Sequence, residues 1–297
     1  MGHLQIKDVS KIYTKHNQKI EALKHIQCDI QAHKIIGLFG ANGAGKSTLM
    51  RTIANRQLVS AGEIYLDGAL LSDLKNQHQV CMVGEEDFKF INLSVKEMLA
   101  MASGYYPDYN YDLEKELLNK IQLSPRKNFG RLSKGQKGIL MTIIGLCSGA
   151  PLTLLDETFT SVDAQTRQMI FETLLACYSD SQRSFILTTH HINEVSHLLE
   201  EVIIMDQGEI LLHEAMNDIA EKAWIITGNY EKGKAILDQS RILDIQHFGG
   251  HGQFFIFQTL TDNQVKALKQ NGLDRVAMPL EQLTVSLTRG GQARCQE

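Results

Sequence analysis

Apolar and polar residues alternate from Leu4 to Val9, the period of a half-buried strand. Lys34 to Phe39 (KIIGLF) is instead a short unbroken apolar run, which predicts a buried strand. That run leads into GLFGANGAGKST, and Ser47 to Asn55 then predicts a helix. Gly62 to Gly68 predicts a strand with turn residues at both ends. Val95 to Met101 and Asp112 to Ile121 predict helices, separated by Pro107 and Asp108. Leu152 to Leu155 reads as a buried strand and Ala164 to Cys177 as an amphipathic helix. Ser184 to Thr188 and Glu201 to Asp206 are further strands, with a helix from Asn193 to Leu199 between them. Strands alternating with helices predict an α/β sheet with some parallel pairing.

Two stretches depart from the alternation. Asp87 to Ala150 holds several helices and no convincing strand, so it reads as an inserted helical subdomain. After Asp218 the pattern restarts: Ala223 to Thr227 strand, Tyr230 to Gln239 helix, Phe254 to Gln258 strand, Asp262 to Asn271 helix. The expected organisation is a core over residues 1–217, with its helical insertion near 87–150, and a small α+β accessory domain over 218–297.

Composition narrows the classes. A chain of 297 residues, 43% hydrophobic, makes one large or two modest domains with a real core. A net charge of −4 does not indicate a basic surface for nucleic acid, and leaves local basic patches open. Cys28, Cys81, Cys147, Cys177 and Cys295 are far apart with no C-x-x-C pair, which predicts reduced thiols rather than a zinc or redox site. The longest apolar run, Gly138 to Cys147, is about half of a membrane span. Gln5, Lys7 and Asp8 interrupt any apolar leader, so no signal peptide is expected. Work at a membrane would require docking to another protein there.

Three segments carry chemistry. Gly40, Gly45, Lys46 and Ser47 fit G-x-x-x-x-G-K-[ST] between a strand and a helix. Glycines let backbone N–H groups turn inward around phosphates, and the helix N-terminus faces the same anion. Lys46 then reaches the β and γ phosphates and the Ser47 hydroxyl reaches Mg²⁺. In PLTLLDET, a buried strand ends in adjacent carboxylates, Asp156 and Glu157. The pair suits a division of labour, one holding the cation and the other polarising water. Shortly before it, Ser133 and Gln136 form an S-x-x-Q capping box at a helix start, a second anion-binding end. One nucleotide does not need both ends from one chain; a nucleotide held by a second chain would use it.

In this order the motifs resemble the nucleotide-binding subunit of ABC transporters, over roughly Leu4 to His213. The resemblance implies an α/β P-loop NTPase core that binds ATP with Mg²⁺ and hydrolyses it. Gly40, Ala41, Asn42, Gly43, Ala44, Gly45, Lys46, Ser47 and Thr48 look like the Walker A loop. Leu132 to Gln136 looks like the signature, with Ser133, Lys134, Gly135 and Gln136 facing a partner's nucleotide and Lys134 standing where the commonest form has glycine. Asp163 looks like the D-loop aspartate, and Tyr13 matches the aromatic that stacks on adenine. The resemblance assigns catalysis to Glu157, His190 and Lys46, and Mg²⁺ to Ser47, Asp156 and Glu85. His190 rather than His191 fits the switch position, with Glu194 four residues later. Two departures stand out. Glu85, with Glu86 as its neighbouring rival, occupies the Q-loop position where the family has glutamine, and Thr158 replaces the usual proline.

The resemblance further implies two chains sandwiching two ATP, as a homodimer or with a paralogous ATPase. It implies a separate membrane permease that holds the pair at the inner face of the cell membrane. Glu85, the appended domain and the tyrosine-rich segment Tyr105 to Asp112 look like the bacitracin-type, antimicrobial-peptide and phenol-soluble-modulin exporter ATPases. That likeness implies export of peptides, antibiotics or other amphipathic compounds. Two rival classes stay open. A soluble ABC-type ATPase of ribosome or DNA would bring tandem cores or a long coiled coil; an ATP-gated regulatory module would bind ATP without turnover. No phosphate-contacting motif lies beyond Asp218, so the accessory domain is expected to act on dimer contacts or regulation.

Overall fold

The computed structural model describes residues 2–15, 18–84 and 92–294. Three sheets organise them. The first is antiparallel, β2-β1-β4-β5, from β1 (Leu4–Lys15), β2 (Gln18–Ile30), β4 (Ala61–Leu66) and β5 (Ala69–Leu70). The alternation at Leu4 to Val9 is the start of the longer β1. In β2, Leu23, Ile26, Cys28 and Ile30 point inward while the first residues, Gln18 to Glu21, are exposed.

The second sheet positions the site. Its order is β10-β9-β3-β8-β7-β6. The members are β3 (Ile35–Gly40), β6 (Val80–Gly84), β7 (Leu152–Asp156), β8 (Ser184–Thr188), β9 (Glu201–Asp206) and the antiparallel edge β10 (Glu209–Ala215). Strands β3, β6, β7, β8 and β9 run parallel. Parallel strands covered on both faces read as continuous apolar runs. Accordingly β3 and β7 are buried at every residue except the last, Gly40 and Asp156. The carboxyl ends of such a sheet are where ligands bind.

Helix α1 (Lys46–Ile53) follows the glycine loop. Within the region read as a helical insertion lie α2 (Val95–Tyr105), α3 (Tyr111–Ile121) and α4 (Lys134–Cys147). The described residues there carry one isolated bridge, Ser94–Asn128, and no strand. Helix α4 also serves the sheet: Gly138 to Cys147 is buried, with Gly145 against Val83, Thr153 and Leu155. Then come α5 (Ala164–Asp180) and α6 (Ile192–Val195), the latter continued by a 3-10 turn over Ser196–Leu198. The seven-residue helix expected at Asn193 to Leu199 is thus a single α turn and a tighter one.

A third sheet, β12-β13-β11-β14, is antiparallel and is built from β11 (Ala223–Asn229), β12 (Ile242–Phe248), β13 (His251–Phe257) and β14 (Asp274–Ala277). Helices α7 (Met216–Lys222), α8 (Tyr230–Ile236) and α9 (Asp262–Gln270) accompany it. Helix α10 (Leu280–Arg294) packs against β12 of this sheet and also reaches β3, β9 and α6. Leu280 and Leu283 join the same apolar core as Ile192 and Val195. Burying one such leucine contributes roughly 1.5–3 kcal/mol. The four described cysteines are free thiols. Burial pushes them up, Cys28 to about 12.

Candidate active site

The site lies at the carboxyl ends of β3, β7, β8 and β9. Residues Gly40 to Gly45 turn from β3 into α1, with Gly45 at φ 104°, a left-handed conformation natural to glycine. A side chain there would also press on the carbonyl oxygen of Ala22, 2.7 Å from the position of a Cβ. Helix α1 has no side-chain cap. Its first N–H groups are therefore open to an anion at the positive end of the helix. Ala41, Asn42 and Gly43 are exposed, and Ala44 is buried beneath them. The Lys46 ammonium donates to the carbonyls of Gly40 at 2.8 Å and Ala41 at 3.0 Å, folded over the loop it would share with phosphates. Burial lowers its pKa, while Glu157 and Asp156 act to raise it. Ser47 follows at the first turn of α1, partly buried.

The carboxylates are held by β8. Register pairs Asp156 with Thr188 across β7 and β8. The Thr188 hydroxyl donates to Asp156 Oδ1 at 2.7 Å and accepts the Glu157 N–H at 3.0 Å. Glu157 stands at φ 56°, an unusual conformation for a residue with a side chain. Its Oε2 accepts from the Thr160 hydroxyl at 3.0 Å, and its Oε1 lies 3.4 Å from His190 Nε2. One carboxylate is thus tied to the sheet and the other faces an imidazole that is half exposed. Neither Thr188 nor Thr160 was singled out from the sequence. Their part depends on strand register and on the turn after Glu157, which no motif spells out.

A cavity of about 410 Å³ opens beside these groups. Gly40, Ala41, Thr189, His190 and Asp206 line it, and so do Glu281, Thr284, Val285 and Thr288 of α10. A helix from beyond Asp218, to which the sequence reading gave no part in the site, therefore forms one of its walls.

The remaining candidates sit elsewhere. The Tyr13 hydroxyl is 3.4 Å from Thr48 Oγ1 and accepts from Gln57 Nε2, with the ring beside α1. Ser133 caps α4, accepting from the Gln136 N–H at 3.2 Å, and Gln136 Oε1 accepts from the Ser133 N–H at 3.2 Å and from Lys127 Nζ at 2.9 Å. Lys134 is exposed at this helix start and Gly135 is partly buried. Asp163 caps α5, accepting from the Thr166 N–H at 3.0 Å, a bond that holds its carboxyl below the usual range. These two helix ends do not line the cavity beside His190. Glu85 and Glu86 lie outside the described residues.

The residues present fit a nucleoside triphosphate: an uncapped helix end, a glycine cradle and a lysine able to turn inward. For Mg²⁺ the donor set is sparse. Among the described residues no three His, Cys, Asp or Glu converge. A cation here would rely on the Ser47 hydroxyl, Asp156 and the phosphates themselves, as Mg²⁺ commonly does.

A glycine cradle ending a central parallel strand, followed by a helix and flanked by two carboxylates, defines a P-loop NTPase. Residues 23–160 match the family model described as ABC transporter. The chain is similar to the methionine import ATP-binding protein MetN of Vibrio cholerae, 30% identical over 73% of this chain and 66% of that one. It is similar to the ABC-type organic anion transporter ABCA8A of Mus musculus, 29% identical over 69% of this chain and 13% of that one. The chain spans less than two thirds of these relatives' length. In fold it matches the ATP-binding cassette MJ0796 in a dimeric post-hydrolysis state with ADP and Pi, at TM-score 0.64 and 23% identity, over 72% of this chain and 98% of that one. The fold is the ABC ATPase fold, a mixed α/β P-loop NTPase core.

Proposed function

We propose that this protein hydrolyses Mg-ATP to drive a separate membrane permease. The observation that carries the reading is the Glu157–His190 contact at 3.4 Å beside an Asp156 anchored by Thr188. Glu157 takes the proton from the attacking water, and His190 holds Glu157 and that water in line. Lys46 and the α1 N-terminus stabilise the developing charge. Mg²⁺, when bound, neutralises phosphate charge; Ser47 and Asp156 hold it, with Glu85 as a further proposed ligand. Tyr13 supplies a face for the adenine.

Two chains act together. The capped, exposed start of α4 (Ser133, Lys134, Gly135, Gln136), with Asp163 at the start of α5, meets the nucleotide of the other chain. The dimeric MJ0796 cassette supports this reading. Among the described residues no helix is long and apolar enough to cross a membrane. On this reading a permease holds the ATPase at the inner membrane face. A groove of about 520 Å³ lined by Met82, Val83, Leu93, Met98, Met101 and Tyr105 suits a short apolar-faced helix of that permease. Met101 is 61% and Tyr105 50% exposed at it. The exporter likeness of Tyr105 to Asp112 and Glu85 supports outward transport of amphipathic compounds; the MetN relative is a methionine import ATP-binding protein.

The test is phosphate release from Mg-ATP by the purified chain, with Lys46→Ala as the comparison. The variant is expected to lose roughly 100-fold or more in turnover while keeping its fold. Wild-type turnover in Lys46→Ala would contradict the assignment. Co-purification with a membrane protein tests the permease, and ATP-dependent uptake into inside-out vesicles tests the direction.

A further inference from the structure

The switch-histidine segment has little to hold it in place by itself. Helix α6 is four residues long and its N-cap, His191, makes no side-chain cap. A single turn has no intrinsic stability in water. Its position comes from tertiary contacts on two sides. Toward α5, Glu194 meets Arg167 at 2.7 Å. Toward α10, Asn193 Nδ2 donates to Glu281 Oε2 at 2.6 Å. Beneath the second bridge, Ile192 and Val195 share a buried cluster with Leu280 and Leu283. Glu281 also lines the cavity that His190, Gly40 and Ala41 line.

We propose that α10 makes the C-terminal domain part of the hydrolytic machinery, with Glu281 a positioning residue that sets His190 against Glu157 through Asn193. The proposal rests on the reading of Glu157 and His190 given above. His190 is three residues before Asn193 on the same short segment, so a shift of α6 moves the imidazole. Displacements of about 1 Å at a reacting centre cost up to roughly 100-fold. Movement of the third sheet would reach the site by the same route, since β14 leads into α10 through Met278, whose N–H bonds the carbonyl of Ala223 at 3.0 Å. The accessory domain thereby reads out, or sets, whether the histidine is in register.

The experiment is steady-state ATPase kinetics of the full-length chain. Glu281→Ala should lower kcat roughly 5–20-fold with KM for ATP within about two-fold of wild type. Glu281→Gln keeps an oxygen acceptor for Asn193 and should restore most of kcat. Asn193→Ala should fall as far as Glu281→Ala, and the double variant should fall no further, because both remove one bond. Equal thermal midpoints separate positioning from loss of fold. Wild-type kcat in Glu281→Ala, failure of Glu281→Gln to rescue, or additive loss in the double variant would each overturn the proposal. So would a matched KM change in Glu281→Ala and Glu281→Gln, which would mean that the charge acts on the nucleotide directly. His190→Ala, run in the same assay, keeps the two readings apart. If it retains full activity, the role of His190 itself is wrong; if it is inactive while Glu281→Ala is normal, only Glu281 is.

Discussion

At the scale of single residues, Thr188 organises the carboxylate pair. It is fully buried, and its hydroxyl is the shared partner of Asp156 and of the Glu157 backbone. Glu157 at φ 56° stores strain of about 1–3 kcal/mol, retained because Thr188, Thr160 and His190 over-determine it. Thr188→Val keeps the shape and removes both bonds. It is expected to destabilise the chain by about 1–3 kcal/mol and to lower kcat roughly ten-fold or more. Denaturant unfolding and phosphate release measure the two effects. Unchanged turnover would mean that Asp156 and Glu157 need no such anchor. The motif residues themselves were legible because glycines, a lysine and paired carboxylates are chemically distinctive. Thr188 was not, because a threonine ending a strand is ordinary until register sets it opposite Asp156.

At the scale of elements, the start of α4 requires glycine at position 135 for packing, apart from any nucleotide. A Cβ on Gly135 would run into the carbonyl oxygen of Ser161, just before the cap of α5. The ends of α4 and α5 are thereby locked together, with Ser133 and Asp163 both presenting capped, exposed starts. Gly135→Ala must push them apart. It is expected to cost about 1–3 kcal/mol of stability and to reduce ATPase activity, while binding of ATP to the isolated chain persists. Calorimetric unfolding and nucleotide titration check this; an unchanged unfolding midpoint would contradict the packing. Elements were legible where apolar pattern and burial agree, as in β3, β7 and β8. They were not in β2, whose first four residues are exposed, or in α10, where Thr284 and Ser286 are buried. Their hydroxyl side chains blur the helical stripe, so the wall that α10 gives the site emerged only from the packing.

At the scale of the whole molecule, the proposed function makes the chain half of two nucleotide sites. On that proposal the cradle at β3 and α1 and the carboxylates at β7 would bind and cut one ATP, while the exposed helix starts at Ser133 and Asp163 would meet another chain's. Glu157→Gln isolates this geometry. The amide keeps size and reach but is no base toward water, and Lys46, Ser47 and Asp156 remain to hold Mg-ATP. The most direct test is size-exclusion chromatography with light scattering of Glu157→Gln, with and without Mg-ATP, alongside phosphate release. The account predicts a dimer with Mg-ATP, a monomer without it and no turnover. Full ATPase activity in this variant, or a monomer that binds Mg-ATP without pairing, would contradict it.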